Sequence, residues 1–404
     1  MYELNLTPEQ IAIRDMVRDF CTREVRPVML KSDRLDVRDR TLPRDLLDRA
    51  SKMGLREMWL SEAAADNLSF CLVVEEFAAA DVDLAAVLAE TAWLAHVLFD
   101  KAMTKPQWDR FLPKFLDDHR YDLAFAGYES SVDRRLGINY HRPERTDAVP
   151  ATTAVMAAGE WIIEGTKDCV ANAPIAALFA VLVQIPGRQE PGVLLVPADT
   201  PGVVVRPHDK PWRHGVSGAV TFDACMVPGD NLLKDKAAAL LTGAADAGRG
   251  VPLAAAINLG VARAAYEAAL EYARLRVQGA RPIIEHQAIA TKLADIAIRL
   301  EAARAVVWNA AWASDHPHVF ADRSLPDLPL QTMAQVFVSE TLYPAVKDAA
   351  ELFGAMGVMR DMPLQKYVHD ALVCLHGGTS NSDAKLRIAE SLAGYRRAAV
   401  QAAE

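Results

Sequence analysis

Proton-transfer chemistry needs titratable side chains in unusual company, and this chain offers few. Glu90 stands in LAETAWLAHVLF (88–99), four residues after Ala86 and one turn before Leu94, in an otherwise apolar stretch. A carboxyl buried among such neighbours has a raised pKa and is fit to abstract a proton. His376, in LVCLHGGT, is the second candidate base, because imidazole titrates near neutrality. Asp168 and Tyr128 trail behind these two. GAMG at 354–357 places two glycines where backbone can approach a ligand closely or close an interhelix turn. The histidines are scattered, and His141, His208 and His214 read as surface or loop residues rather than a zinc set. There is no phosphate-loop motif and no Gly-x-Ser-x-Gly.

The elements that must position these groups fall into three regions. Up to residue 122 the pattern is helical, starting at TPEQIAIRDMVRDF with Thr7 as N-cap, Pro8 at N1 and Gln10 at N3. From 123 to 236 it changes to short apolar runs with Gly and Pro punctuation; Ala158-Gly159-Glu160 is a hairpin signal. From 237 to 404 long helices return. Ile289, Leu293, Ile296, Leu300, Ala303 and Val307 alternate by four and three, as a bundle seam does. The expected fold class is therefore α+β and multidomain, with an N-terminal helical domain, a middle antiparallel β domain and a C-terminal helix bundle.

Composition narrows the partners. With 404 residues, 51% hydrophobic, the chain can build a real core. A net charge of −9 without a basic stripe argues against nucleic acid and anionic membrane surfaces. No apolar run of bilayer length is evident, so no membrane insertion is expected. Cys21, Cys71, Cys169, Cys225 and Cys374 lie far apart, an odd set that reads as reduced thiols in a cytoplasmic protein.

Several segments, taken in order, resemble the acyl-CoA dehydrogenase family over essentially the whole chain. RVQGARPIIEHQ resembles the family's R-x-x-F-G-x-x-L-x-x-H-Q, LFGAMGVMRDMPLQKYVHDA its L-G-G-x-G segment ending in R-D-A, and GEWIIEGTKDCVANAP its G-(x)2-I-x-G-x-K-x-W-I-T/S-N. The resemblance implies FAD at a domain interface, with Arg276, Gln287, Gly354, Gly357 and Thr379 on the dinucleotide and Tyr128, Cys169 and Ala171 beside the flavin ring. An arginine fork and close backbone approach suit a doubly charged pyrophosphate. In the family the glycine segment comes from a neighbouring subunit, which implies a homotetramer built as a dimer of dimers. An acyl-CoA substrate and an electron-transfer flavoprotein partner are implied too. Asp246 and Arg249 correspond, two residues out of register, to a pair that meets the CoA end.

The resemblance fails at the base. Family members abstract the α-proton of a thioester with a Glu directly before Gly-Thr, or in a minority with one early in the first helix of the last domain. These positions are Gly377 and Gly250. Cys169 replaces a customary Trp and Tyr128 a customary Thr. Three explanations follow: a substitute base such as Glu90 or His376, a redox-neutral elimination of a β-substituent such as a sulfinate, or a non-catalytic subunit of a hetero-oligomer. Dehydrogenation with a substitute base is the expectation.

Overall fold

The computed structural model describes residues 5–31, 34–36, 40–60, 65–130, 149–208, 213–243, 250–316, 328–359, 361–376 and 380–393. The first region holds α1 (Pro8–Phe20), α2 (Arg26–Met29), α3 (Arg44–Lys52), α4 (Asn67–Ala80), α5 (Val82–Ala95) and α6 (Lys105–Asp117). Seven strands follow: β1 (Asp122–Ala126), β2 (Thr153–Ala157), β3 (Glu160–Ala171), β4 (Ala176–Val183), β5 (Gly192–Pro197), β6 (Val203–Pro207) and β7 (Ser217–Pro228). The last region holds α7 (Ala237–Leu241), α8 (Leu253–Leu275), the short pair β8 (Val277–Gln278) and β9 (Arg281–Pro282), α9 (Gln287–Asp315), α10 (Leu330–Glu351), α11 (Pro363–His376) and α12 (Asn381–Ala393).

Local chemistry accounts for many of these boundaries. Thr7 and Gln10 form the reciprocal capping box, at 3.2 and 2.9 Å. Ala158 and Gly159 both take positive φ, 51° and 90°, the backbone of a tight turn joining β2 to β3. Leu293, Ile296, Leu300, Ala303 and Val307 are all buried along α9, and they enter one core with α4, α8 and α10.

The middle region is a two-sheet sandwich, β1-β4-β5 against β2-β3-β7-β6. It is antiparallel except for one pair, β1 and β4, which run parallel. Strand β4 is buried on both faces: Phe179, Val181 and Val183 fill the sandwich, while Leu178, Ala180 and Leu182 join a second core with Phe99, Phe111 and Phe115. Period-2 alternation sends the two sets apart. The sheet thereby docks on the N-terminal helices.

Helix α5 and its π-helical continuation, Val82–Ala102, are together long and apolar enough to cross a membrane by length and composition. This amends the sequence reading that no run reaches that length. Within the protein, 72% of its most apolar window is buried, and the helix lies between the bundle and the sandwich. It is apolar all round because it has protein on nearly every side.

Helices α4 and α8 approach closely at Gly260, where a Cβ would meet the Glu75 carbonyl and lie 2.7 Å from the Ala78 Cβ. Neither neighbour is a flexible side-chain tip, so the helices would have to separate. Gly260→Ala is expected to destabilise the protein by about 1–3 kcal/mol, read as a lower denaturant midpoint at an unchanged m-value.

Candidate active site

The C-terminal end of β3 is irregular where a regular strand would be stiffest. Its register against β7 shifts between Lys167 and Val170, and Cys169 within that bulge takes φ 54°. A non-glycine residue in this region is strained and is held there by its surroundings. The Arg213 Nη1 donates to the Cys169 carbonyl at 3.2 Å. Asp168 accepts from the Ser130 amide and hydroxyl at 2.9 and 2.7 Å, and its own amide donates to the Tyr128 carbonyl at 2.9 Å. Beneath them the buried Lys167 Nζ pairs with Glu129 at 2.5 Å. Tyr128, Asp168 and Cys169 are thus gathered at one corner, and Ala171 follows, buried and paired with Ser217.

Asn172 joins this corner to α5. It is buried, at φ 60°, and its Nδ2 lies 3.1 Å from Thr91 Oγ1, 3.3 Å from the Val87 carbonyl and 3.4 Å from the Leu123 carbonyl. Thr91 and Val87 flank Glu90 on the helix, so one amide fixes the turn carrying Glu90 against the strand end. Glu90 is partly accessible, yet burial dominates its carboxyl and pushes the pKa above the ordinary value. The Arg213 guanidinium opposes this without reversing it. A half-enclosed acid with one cation nearby can accept a proton from a bound carbon acid.

Arg213 also lines a cavity of about 210 Å³, bounded by Arg40, Asp83, His214, His369 and Val373 among others. His214 Nε2 lies 3.0 Å from the Asp370 carbonyl and 3.4 Å from Cys374 Sγ, and its Nδ1 is 3.8 Å from Asp83. Burial alone would lower this histidine, but Cys374, Asp83 and Asp370 outweigh it and hold its pKa well above the ordinary value. Gly215 turns at φ 77°, with a Cβ position 3.3 Å from Val87 Cγ2, so this segment crosses α5 one turn before Glu90.

A second, more open groove of about 840 Å³ lies between the end of α8 and the end of α10, lined by Tyr272, Arg276, Gly279, Phe353, Gly354 and Met356. Gly354 takes φ 55° with nothing within 4 Å of a Cβ position, leaving its backbone face open. Tyr272 and Phe353 stack at 4.1 Å along the wall. Arg276 and Gly354 therefore share one groove of one chain. Gln287 is exposed at the first residue of α9. Gly357 is buried, and a Cβ there would collide with the Ala350 carbonyl, so packing within the chain already demands glycine.

His376 is exposed at the last residue of α11, and Gly250 is half-buried just before α8. Gly377, Thr379, Asp246 and Arg249 lie outside the described residues. Among the described residues no three His, Cys, Asp or Glu side chains are grouped to hold a metal ion. Sequence reasoning did not single out Arg213 or Asn172 and left His214 as a loop residue. Asn172, closing the CVAN stretch, carried a signal; the PWRHG segment has no periodicity to mark it.

A helical region, a β sandwich and a helix bundle meet at this corner, and comparison with known proteins agrees with that architecture. Family models match all three regions: "Acyl-CoA dehydrogenase, N-terminal domain" at residues 7–119, "middle domain" at 144–225 and "C-terminal domain" at 244–393. The chain is 30% identical to an acyl-CoA dehydrogenase of Bacillus subtilis, over 97% of this chain and 100% of that one. It is 29% identical to the benzylmalonyl-CoA dehydrogenase of Aromatoleum aromaticum, over 96% and 99%. The butyryl-CoA dehydrogenase structure from Megasphaera elsdenii shares the fold, with a TM-score of 0.82 at 22% identity, covering 97% of this chain and 100% of that one. The chain belongs to the acyl-CoA dehydrogenase family and is an oxidoreductase.

Proposed function

We propose that the protein is an FAD-dependent dehydrogenase that oxidises the α,β-bond of an acyl-CoA thioester, with Glu90 taking the α-proton. The observation that carries this reading is Glu90 itself: a carboxyl raised by burial, fixed by Asn172 beside the strand end where the family resemblance puts the flavin ring. The residues present suit FAD. Arg276, exposed and without an ion-pair partner among the described residues, shares a groove with the open backbone at Gly354, which fits an anionic diphosphate. Tyr128, Cys169 and Ala171 offer a surface for the ring, with more room at Cys169 than a tryptophan would leave. Bound FAD supplies the acceptor for the β-hydride. Glu90 receives the α-proton, and Arg213 favours the ionised carboxylate beforehand.

Two further parts of the proposal follow from family membership. Electrons leave to an electron-transfer flavoprotein, and the assembly is a homotetramer. If the Gly354 segment serves a neighbouring subunit's cofactor, Arg276 goes with it, since both line the same groove.

The test is anaerobic mixing of the FAD-loaded protein with a panel of acyl-CoA thioesters, following loss of flavin absorbance. Bleaching with formation of the enoyl-CoA is the expected result. Product release without bleaching would show elimination instead. A base must be ionised to work, so the bleaching rate is expected to rise with pH through an inflection above the ordinary Glu value of about 4.3. A rate flat across that range would remove Glu90 as the base.

A further inference from the structure

Among the described residues, the cavity beside Glu90 keeps a cation outside the paired network on its wall. Behind its wall lies a buried network in which cations and carboxylates are matched: Arg40 and Lys366 both reach Asp370 at 2.7 Å, Lys366 stands 3.6 Å from Asp81, and His214 stands 3.8 Å from Asp83. Once these are paired, Arg213 remains on the wall among the described residues, with His208 and His369 beside it as hydrogen-bonding groups. Arg213 makes one described hydrogen bond, to the neutral Cys169 carbonyl. His208 uses Nδ1 on Ser217 Oγ at 3.1 Å, and His369 Nδ1 is a buried atom without a hydrogen-bond partner, 3.6 Å from Asp370.

A second observation points to an absent acceptor. Arg40 lines the same cavity with its side chain 6% exposed, and its Nε is buried without a hydrogen-bond partner. Its Nη1 is committed to Asp370 and its Nη2 to the Leu35 carbonyl. A buried guanidinium donor left unmade is unfavourable and uncommon unless something else completes it. Orphaned donor and surplus positive charge call for the same thing, an anionic oxygen. About 210 Å³ admits a carboxylate with a short carbon stem, not a whole CoA.

We propose that this cavity is an anion subsite that receives a carboxylate carried on the acyl group, so that the preferred substrate is the CoA monothioester of a dicarboxylic acid. The inference rests on the acyl-CoA reading above and extends it to a substrate class. Arg213 is the principal contact, with His208 and His369 at the rim. Arg213 also stabilises ionised Glu90, so it couples recognition of the acid group to the base.

The experiment measures dissociation constants of the FAD-loaded protein for glutaryl-CoA, for valeryl-CoA of equal chain length and for free CoA. Glutaryl-CoA is expected to bind about tenfold more tightly than valeryl-CoA, the size of one charge-assisted contact. Arg213→Gln is expected to abolish that preference and Arg213→Lys to keep most of it. Arg213→Gln should also move the pH inflection of bleaching upward, which a merely structural role would not do. Equal affinities in the unmodified protein overturn the proposal, and so does a preference that survives Arg213→Gln. Loss of affinity for free CoA in Arg213→Gln, with no change in acyl preference, assigns the site to a CoA phosphate and overturns the carboxylate source. If Arg213→Gln does not fold, His208→Ala is read instead: a reduced glutaryl preference there supports the site, and an undiminished one counts against it. A glutaryl preference without any bleaching sinks the dehydrogenase reading and leaves the subsite standing; bleaching by valeryl-CoA without a glutaryl preference does the reverse.

Discussion

Replacing Glu90 by Gln is expected to lower the bleaching rate by about 10²–10⁴-fold, the usual contribution of a positioned general base, while the protein keeps its fold and its FAD. The substitution preserves shape and removes only the capacity to hold a proton. Its effect on stability separates the chemistry from damage. Burial raises the Glu90 pKa in the folded state, so folding favours the protonated form. That contribution is fully present below the unfolded value of about 4.3 and is lost as pH rises through the higher folded value. At neutral pH the unmodified protein therefore carries a carboxylate it would rather protonate, and Glu90→Gln should match or exceed its stability there. Parallel urea titrations of the two proteins at acid and neutral pH read the difference. A variant that bleaches at the original rate removes Glu90. A variant that is both inactive and markedly less stable at neutral pH points instead to disruption of the Asn172 contacts one residue away.

How far the sequence could be read depended on whether a signal was local. The Thr7–Gln10 capping box, the Ala158-Gly159 turn and the α9 stripe each depend on residues a few positions apart, and each lies in the structure where the spacing puts it. The parallel pairing of β1 with β4 has no such signature, because Asp122–Ala126 meets Ala176–Val183 across a long stretch of chain. Helix α5 was legible as apolar but not as a doubly covered core helix, since periodicity fades when every face is buried. Glu90 stood out for that reason, as a carboxyl without polar company. Its surroundings did not: Arg213 and Asn172 both reach it from the middle region, through a guanidinium and an amide whose neighbours in sequence say nothing of α5. The spacing of the chain's glycines was visible but its cause was not, as Gly357 yields to the Ala350 carbonyl and Gly260 to α4.

Lys366→Met should be the most damaging single change to the frame behind the site, at about 3–5 kcal/mol, the range seen when one partner of a buried ion pair is removed. Lys366, Asp370 and Asp81 are 2%, 1% and 0% exposed, and Nζ reaches Asp370 at 2.7 Å. The two acids do not share the cation equally. Burial pushes Asp370 upward, but Lys366 and Arg40 outweigh it and hold it well below the ordinary carboxylate range. Asp81 is raised by burial despite Lys366, although its Oδ1 caps α5 through the Leu84 and Asp83 amides at 2.9 and 3.1 Å. Methionine removes the charge and leaves Asp370 with Arg40 as its remaining close cation. A depressed acid lends stability above its unfolded value of about 3.9 and loses it as pH falls through the folded value. The deficit of Lys366→Met should therefore be largest near neutral pH and shrink in acid, where the carboxylates are protonated in both proteins. Asp370→Asn alone should be costly because it takes the 2.7 Å partner from both Lys366 and Arg40, and the double variant should cost less than the sum of the two single changes. Such a coupling in a double-mutant cycle is the mark of an interacting buried pair; simple additivity of the two changes would show that Asp370 is held by Arg40 and that Lys366 contributes little to it.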